Sequence, residues 1–258
     1  MASVVPRWML VVAAVAILAY VALCVALFAM QRSLIYFPQA GSAAPGASTL
    51  VLNVGDAQVR VTTHPAAGAT AVIYFGGNAE DVSLSFPLLR AAFPDDALYL
   101  LHYRGYGGST GSPSESAIVA DATALFDNVR AQHREIVLVG RSLGSGVAVH
   151  LASLRPVRRL VLVTPYDSLQ ELAAAQFSFF PVRWLLRDKF ESWRYVAGVT
   201  APTLIIAAEN DEVIPRASTE SLYRRFRPGA AASSVVRGAG HNTISDSADY
   251  ASLLKGSP

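Results

Sequence analysis

The sequence predicts an α/β domain, a mostly parallel sheet with helices on both faces and an antiparallel hairpin at its start, preceded by one transmembrane helix. Three observations predict it. The runs Ala71–Phe75, Ile136–Val139, Leu160–Val163 and Thr203–Ala207 are apolar without polar alternation, as strands covered on both faces are. Amphipathic stretches separate these runs, which argues for crossover helices and a parallel sheet. Before them, Met9–Met30 (MLVVAAVAILAYVALCVALFAM) carries no charge. At about 1.5 Å per residue it is long enough for a hydrocarbon core of about 30 Å.

Taken in order, the first element is that apolar run. Arg7 and Arg32 flank it, and Trp8 suits an interface. A cleaved signal peptide has a shorter apolar region and a small-residue cleavage site, which is poorly matched here. A lipoprotein site at Cys24 wants a small residue where Leu23 stands. The reading is an uncleaved single-pass anchor over residues 1–32 and a folded domain over 33–258. Each flank has one arginine, so orientation is weakly set. The amino terminus tips it toward N-terminus inside and domain outside.

Gln39–Ser48, rich in Ala, Gly, Ser and Pro, reads as a linker. Leu50–Val54 and Gln58–Thr62 read as a hairpin turning at Gly55-Asp56. Strand Ala71–Phe75 follows, then a helix over Asp81–Ala92 disturbed at Pro87, then strand Ala97–Tyr103. Ser114–Arg130 is a helix that Ser114 can cap. Strands Ile136–Val139, Leu160–Val163, Thr203–Ala207 and Ser234–Val236 alternate with helices after Ser142, Ser168 and Ala217 and at Ser247–Leu254.

The 258 residues suffice for one anchor and one domain. A 52% hydrophobic and 16% charged chain supplies a large core. Its net charge of +2 comes from scattered basic residues, so there is no nucleic-acid footprint. Cys24 is the single cysteine, which excludes an intrachain disulfide and a cysteine zinc site.

Chemistry enters after strand EIVLVG, at Gly140-Arg141-Ser142-Leu143-Gly144. A serine between flanking glycines on a strand-to-helix turn projects its Oγ out of the sheet, and the next amide can face an oxyanion. A Gly/Ser turn that merely opens a helix is the alternative. A nucleophilic serine needs a base, and the base an orienter. His241, in the loop after the last strand, is the candidate base, ahead of His102, which ends a strand and is able to approach the site. His64, His133 and His150 lie in loops or on the helix after Ser142, away from strand C-termini. Asp211, after strand TLIIAA, is the candidate orienter, with Glu209 and Glu212 as competitors. Loops at strand C-termini are where open α/β sheets place chemistry. Strand AVIYF runs into Gly76-Gly77-Asn78-Ala79-Glu80, where glycines let amides approach a ligand. Asn78 and Leu143 are the expected oxyanion donors, with Ala79 competing for the first place. Gly76, Gly77, Gly140 and Gly144 support these turns.

Together these motifs resemble the α/β-hydrolase branch that includes Bem46-like proteins and alpha/beta hydrolase domain-containing proteins 13 and 17. The resemblance runs from about Gln31 to the C-terminus. It takes in QRSLIYFP, YFGGNA, YRGYGGSTG, the serine motif, Phe190-Glu191-Ser192, Pro202–Ile205, Asp211–Pro215 and Gly240-His241. It implies an α/β-hydrolase fold, a Ser142–Asp211–His241 triad, and hydrolysis of esters or thioesters without metal or cofactor. It makes 33–258 a catalytic domain whose partners are an acyl substrate, such as a lipid or acylated protein, and a membrane. Gly76 and His102 depart from the branch, which has His and Asn or Asp at those places. Arg104 and Tyr106 are expected to pack and hydrogen-bond around the site. The insert between Leu160–Val163 and Thr203–Ala207, rich in Phe, Trp, Leu and Arg, is expected over the site as a small cap; packing on the sheet edge is its alternative. A prolyl-oligopeptidase-type peptidase shares the triad order, and a non-catalytic membrane scaffold shares the fold.

Overall fold

In the computed structural model, which describes residues 6–66 and 68–256, a helix leads into an eight-stranded sheet. The ends of the expected anchor and domain, residues 1–5 and 257–258, lie outside the described residues. The strands are β1 (Ser48–Val54), β2 (Ala57–His64), β3 (Thr70–Phe75), β4 (Ala97–Leu101), β5 (Glu135–Arg141), β6 (Arg159–Val163), β7 (Thr203–Ala208) and β8 (Ala231–Val236). Their order across the sheet is β1-β2-β4-β3-β5-β6-β7-β8. β1 pairs with β2, and β2 with β4, antiparallel; every other pairing is parallel. This is the mixed sheet that the sequence predicts. β8 begins three residues before the expected Ser234, because its first half, Ala231–Ser233, is made of small residues with little strand preference.

The helices are α1 (Arg7–Ile35), α2 (Phe86–Ala92), α3 (Glu115–Arg130), α4 (Leu143–Leu154), α5 (Leu169–Gln176), α6 (Val182–Leu185), α7 (Ser192–Tyr195), α8 (Arg216–Arg225) and α9 (Tyr250–Lys255). Side chains alternate across the central strands. Ala71, Ile73 and Phe75 join a core with Leu125 and Phe126 of α3 and Val147 and Leu151 of α4. Val72 and Tyr74 join the opposite core with Phe86 and Leu89 of α2 and Leu254 of α9. The two-residue period of a strand thus feeds both layers.

Local caps set the helix starts. The Ser114 hydroxyl accepts from the Ala117 amide (3.2 Å), and the Ser168 hydroxyl from Glu171 (3.3 Å). The stretch expected as one helix over Asp81–Ala92 splits into a 3₁₀ turn at Val82–Ser85 and α2. Pro87 sits in the first turn of α2, where its missing amide costs nothing. The last helix, expected over Ser247–Leu254, starts three residues later as α9, and a 3₁₀ turn at Ile244–Asp246 precedes it.

α1 is 29 residues long and apolar enough to cross a membrane, and none of its most apolar window is buried in the molecule. Its last turns behave differently. Gln31 is buried, and the helix continues past Arg32 to Ile35, where it packs on the domain.

Candidate active site

β3 lies between β4 and β5, although β4 follows it in the chain. The chain therefore leaves β3 in one direction and returns to the other side, and the loops after β3 and β5 frame a crevice at this switch point. Gly76–Glu80 follows β3 and Ser142 follows β5.

Ser142 holds φ 50° and ψ −118°, a strained region for a residue with a side chain. Its amide donates to the Val163 carbonyl (2.9 Å), and α4 begins at the next residue. Close approach dictates the flanking glycines. A Cβ on Gly140 would lie 2.4 Å from the Gly144 oxygen, and one on Gly144 would lie 2.1 Å from the Phe75 oxygen. The turn is pinned against both β3 and its own helix.

Three loops bring the expected trio together. His241 Nε2 lies 2.9 Å from Ser142 Oγ. Its Nδ1 lies 3.0 Å from both carboxylate oxygens of Asp211. Ser142 and His241 are both buried. Asp211 Oδ1 also accepts from the amides of Val213 (3.0 Å) and Ile214 (2.7 Å). Burial pushes the Asp211 carboxyl up, but the bonds from His241 and these amides outweigh it and hold the group below its ordinary value. It stays an anion that fixes the imidazole. The competing acids do other work. Glu212 accepts from the His241 backbone amide (2.9 Å), and Glu209 from that of Gly238 (2.8 Å).

The remaining histidines are elsewhere. His102 does not approach Ser142: its Nε2 lies 2.8 Å from Thr62 Oγ1 inside the hairpin side of the sheet. Burial pushes its pKa down, against a smaller upward pull from Asp81. His133 Nε2 pairs with the Tyr99 hydroxyl (3.0 Å), His150 stacks on Tyr195, and His64 meets the edge of Phe86.

In the Gly76–Glu80 turn, the Gly77 amide is occupied by Glu80 Oε2 (2.8 Å). Among the described residues, the amides of Asn78 and Leu143 have no protein acceptor. Both residues border the same cavity as Ser142. Ala79, the competitor, borders only the second cavity described below. The Tyr106 hydroxyl donates to the Asn78 carbonyl (2.5 Å) and accepts from the Phe37 amide (2.9 Å), so it supports this turn as expected. Arg104 does not. Its guanidinium pairs with fully buried Asp121 (2.9 Å) and with Asp56 at the hairpin, because the glycine turn after β4 aims it at α3.

The sequence reading missed Glu80 and Arg141. Arg141 donates to Glu80 Oε2 (2.9 Å) and to the His241 carbonyl (3.3 Å). Glu80 Oε1 accepts from the hydroxyls of Tyr74 and Ser85, both at 2.7 Å. Burial pushes the Glu80 carboxyl up, yet Arg141 and these donors outweigh it and hold it low. The pair ties together the loops after β3, β5 and β8. Both residues stand inside the motifs already singled out, but only the adjacency of β3 and β5 shows that they meet.

Two cavities converge on Ser142. One, of about 640 Å³, is apolar and walled by Leu27, Phe28 and Leu34 of α1, Leu172 of α5, and Phe180 and Leu185 beside it. The other, of about 470 Å³, is the more polar of the two: Glu80, Ser85, Arg141 and Asn242 border it together with Leu84, Leu88 and Val213. The insert therefore does form a cap through α5 and α6, while α7 packs on α4.

The alpha/beta hydrolase family matches residues 65–201, more than half of the chain. The chain belongs to the alpha/beta hydrolase family. It is 38% identical over 250 residues to the uncharacterized protein Rv2307c of Mycobacterium tuberculosis, spanning 88% of this chain and 87% of that one. It is 33% identical over 192 residues to alpha/beta hydrolase domain-containing protein 17C of Xenopus tropicalis, across 71% of this chain and 60% of the relative. Among solved structures it is similar to the Pyrococcus furiosus esterase Pf2001, with TM-score 0.68 at 16% identity over 85% of this chain and 94% of that one. It is also similar to Est1E of Butyrivibrio proteoclasticus bound to ferulic acid, with TM-score 0.65 at 14% identity over 80% and 98%. The likeness to these structures is one of fold. In this alpha/beta hydrolase Ser142, Asp211 and His241 stand on loops that follow β5, β7 and β8.

Proposed function

We propose that this alpha/beta hydrolase is a membrane-anchored serine hydrolase that cleaves carboxylic esters or thioesters through an acyl-enzyme on Ser142. The observation that carries the reading is the buried row Ser142 Oγ–His241 Nε2 at 2.9 Å and His241 Nδ1–Asp211 at 3.0 Å, on a strained turn. His241 takes the Ser142 proton as Oγ attacks the acyl carbon. The amides of Asn78 and Leu143 hold the oxyanion, aided by the N-terminus of α4. Collapse of the tetrahedral adduct breaks the bond to the alcohol or thiol, which leaves with the proton from His241. A water, deprotonated by His241, then attacks the acyl-serine and releases the acid and free Ser142. Asp211 holds the imidazole in the tautomer both halves need.

α1 anchors the enzyme, with the catalytic domain on the extracytoplasmic side. The substrate is membrane-associated, a lipid or an acylated protein. An apolar chamber for an acyl chain beside a more polar one for the alcohol or thiol supports an ester or thioester substrate over the prolyl-oligopeptidase-type alternative. The test is a panel of acyl ester, acyl thioester and peptide substrates with wild type and Ser142→Ala. The reading expects ester or thioester turnover that vanishes in the variant. Turnover confined to peptides would install the peptidase, and no Ser142-dependent turnover at all would leave the non-catalytic scaffold.

A further inference from the structure

We infer that α1 is a wall of the acyl site as well as an anchor: the apolar chamber takes a single long acyl chain from the bilayer, and α1 sets how long that chain can be. This rests on the serine-hydrolase reading of Ser142.

The chamber has no apolar wall on one side without α1. Leu27, Gln31 and Leu34 recur at helical spacing and face it together, with Phe28 and Ile35 beside them. Its volume of about 640 Å³ falls within the roughly 300–1,000 Å³ of small-molecule sites. Ser142 and Asn78 line it, so an acyl chain lodged there brings its carbonyl carbon to the nucleophile.

The docking of α1 on the cap is specified rather than incidental. Gln31 is buried; its amide donates to the Leu185 carbonyl (3.3 Å) and accepts from the Arg187 amide (2.7 Å). Arg32 pairs with buried Asp188 (3.0 Å), which also accepts from the Tyr36 hydroxyl (3.2 Å). The Arg187 guanidinium sits over the Phe28 ring at 4.2 Å. Further up the helix, the Tyr20 hydroxyl donates to the Phe179 carbonyl (2.9 Å), and its ring stacks on Phe180 at 5.9 Å. These contacts span Tyr20 to Tyr36, about 24 Å of helix.

That span says where the cap sits. Tyr20 lies ten residues inside the Met30 end of the uncharged run, a depth of about 15 Å. The cap beside it exposes Phe179 (87%) and Trp184 (89%). Water is a poor solvent for such an aromatic tip, and acyl chains are a good one. With α1 in the bilayer, the cap tip enters the same leaflet and the chamber opens to hydrocarbon. The substrate class is an ester or thioester with one long chain, its polar part lying in the Glu80–Arg141 chamber.

The test uses the full chain in detergent or bilayer discs, with acetyl, butyryl, octanoyl and palmitoyl esters of one alcohol. Active enzyme is counted by fluorophosphonate labelling. Leu27→Trp fills the chamber from α1, and Val15→Trp adds the same bulk to an exposed face of α1 that does not border it. The palmitoyl-to-acetyl ratio of kcat/KM is expected to fall about tenfold or more in Leu27→Trp and to hold in Val15→Trp. If Leu27→Trp fails to label, Leu172→Trp from the opposite wall carries the same expectation. A labelled Leu27→Trp with an unchanged ratio, or an equal fall in Val15→Trp, would overturn the proposal while leaving the hydrolase reading in place. A wild type that neither labels nor turns over any ester would overturn that reading and the proposal with it.

Discussion

The two chambers that meet at Ser142 are built in opposite ways. The polar one is made of side chains from the sheet itself and the loops that leave it: Tyr74, Glu80, Arg141 and Asn242 lie within a few residues of β3, β5 or β8. Its members are locked by charge-assisted hydrogen bonds at 2.7–2.9 Å. The apolar one joins segments more than 130 residues apart, α1 and the cap, and has little that is polar on its inner surface. One is held by side chains of the sheet and its loops, the other by contacts between two elements outside the sheet. The contrast separates chemistry from selectivity: changes on the sheet side should abolish turnover or unfold the protein, and changes on the cap side should shift which acyl group is used.

The largest effects are expected at Ser142, which both chambers share, and at Asp211 behind His241. Ser142→Ala should lower kcat/KM for any ester by roughly 10⁴-fold or more, measured with the substrate panel on folded protein. Asp211→Asn keeps the shape but loses the anion that fixes His241, and a fall of roughly 10³–10⁴-fold is expected in the same assay. If either variant merely changed acyl preference, the division between the chambers would fail.

On the sheet side the next effects are on stability. Gly144→Ala puts a Cβ into the backbone of β3, with no side chain able to move away. A loss of about 3 kcal/mol or more is expected by denaturant unfolding. Glu80→Gln leaves Arg141 as a poorly compensated, largely buried cation and should cost about 2 kcal/mol. The same residue makes stability depend on acid. The folded Glu80 carboxyl sits below its ordinary value, so the unfolded chain takes up the proton first on acidification. Its contribution is present above the ordinary carboxylate range near pH 4 and is lost as pH falls through the folded value. Thermal unfolding of Glu80→Gln should therefore show a shallower loss between pH 5 and pH 3 than wild type.

The smallest effect sharpens the boundary. The Asn78 side chain donates to the Ile35 carbonyl (2.9 Å), tying the oxyanion turn to the end of α1. Asn78→Ala should cost only about 1 kcal/mol in thermal unfolding.

The sheet side was legible in the sequence for a physical reason. A strand-end nucleophile needs Gly140 and Gly144 within two residues, and the acid and base loops each follow an apolar strand, so local pattern and chain order carry the signal. The misassignments fall where local pattern stops. Arg104 sits in the same glycine loop as Tyr106, yet one turns to Asp121 and the other to Asn78, and no spacing tells them apart. The Glu80–Arg141 pair depends on β3 lying beside β5, which is a fact of topology. The apolar chamber was least legible. Its α1 residues look like any other membrane-facing leucines, and only Gln31, a polar residue just past the uncharged run, hints that this end of the helix is packed.

The most direct test of the central claim is to label the full-length chain with a fluorophosphonate and map the adduct by peptide mass spectrometry. The account predicts one adduct, on Ser142, that is absent in Ser142→Ala and strongly slowed in His241→Ala and Asp211→Asn. A folded chain that stays unlabelled, or an adduct on another residue that persists in Ser142→Ala, would contradict it.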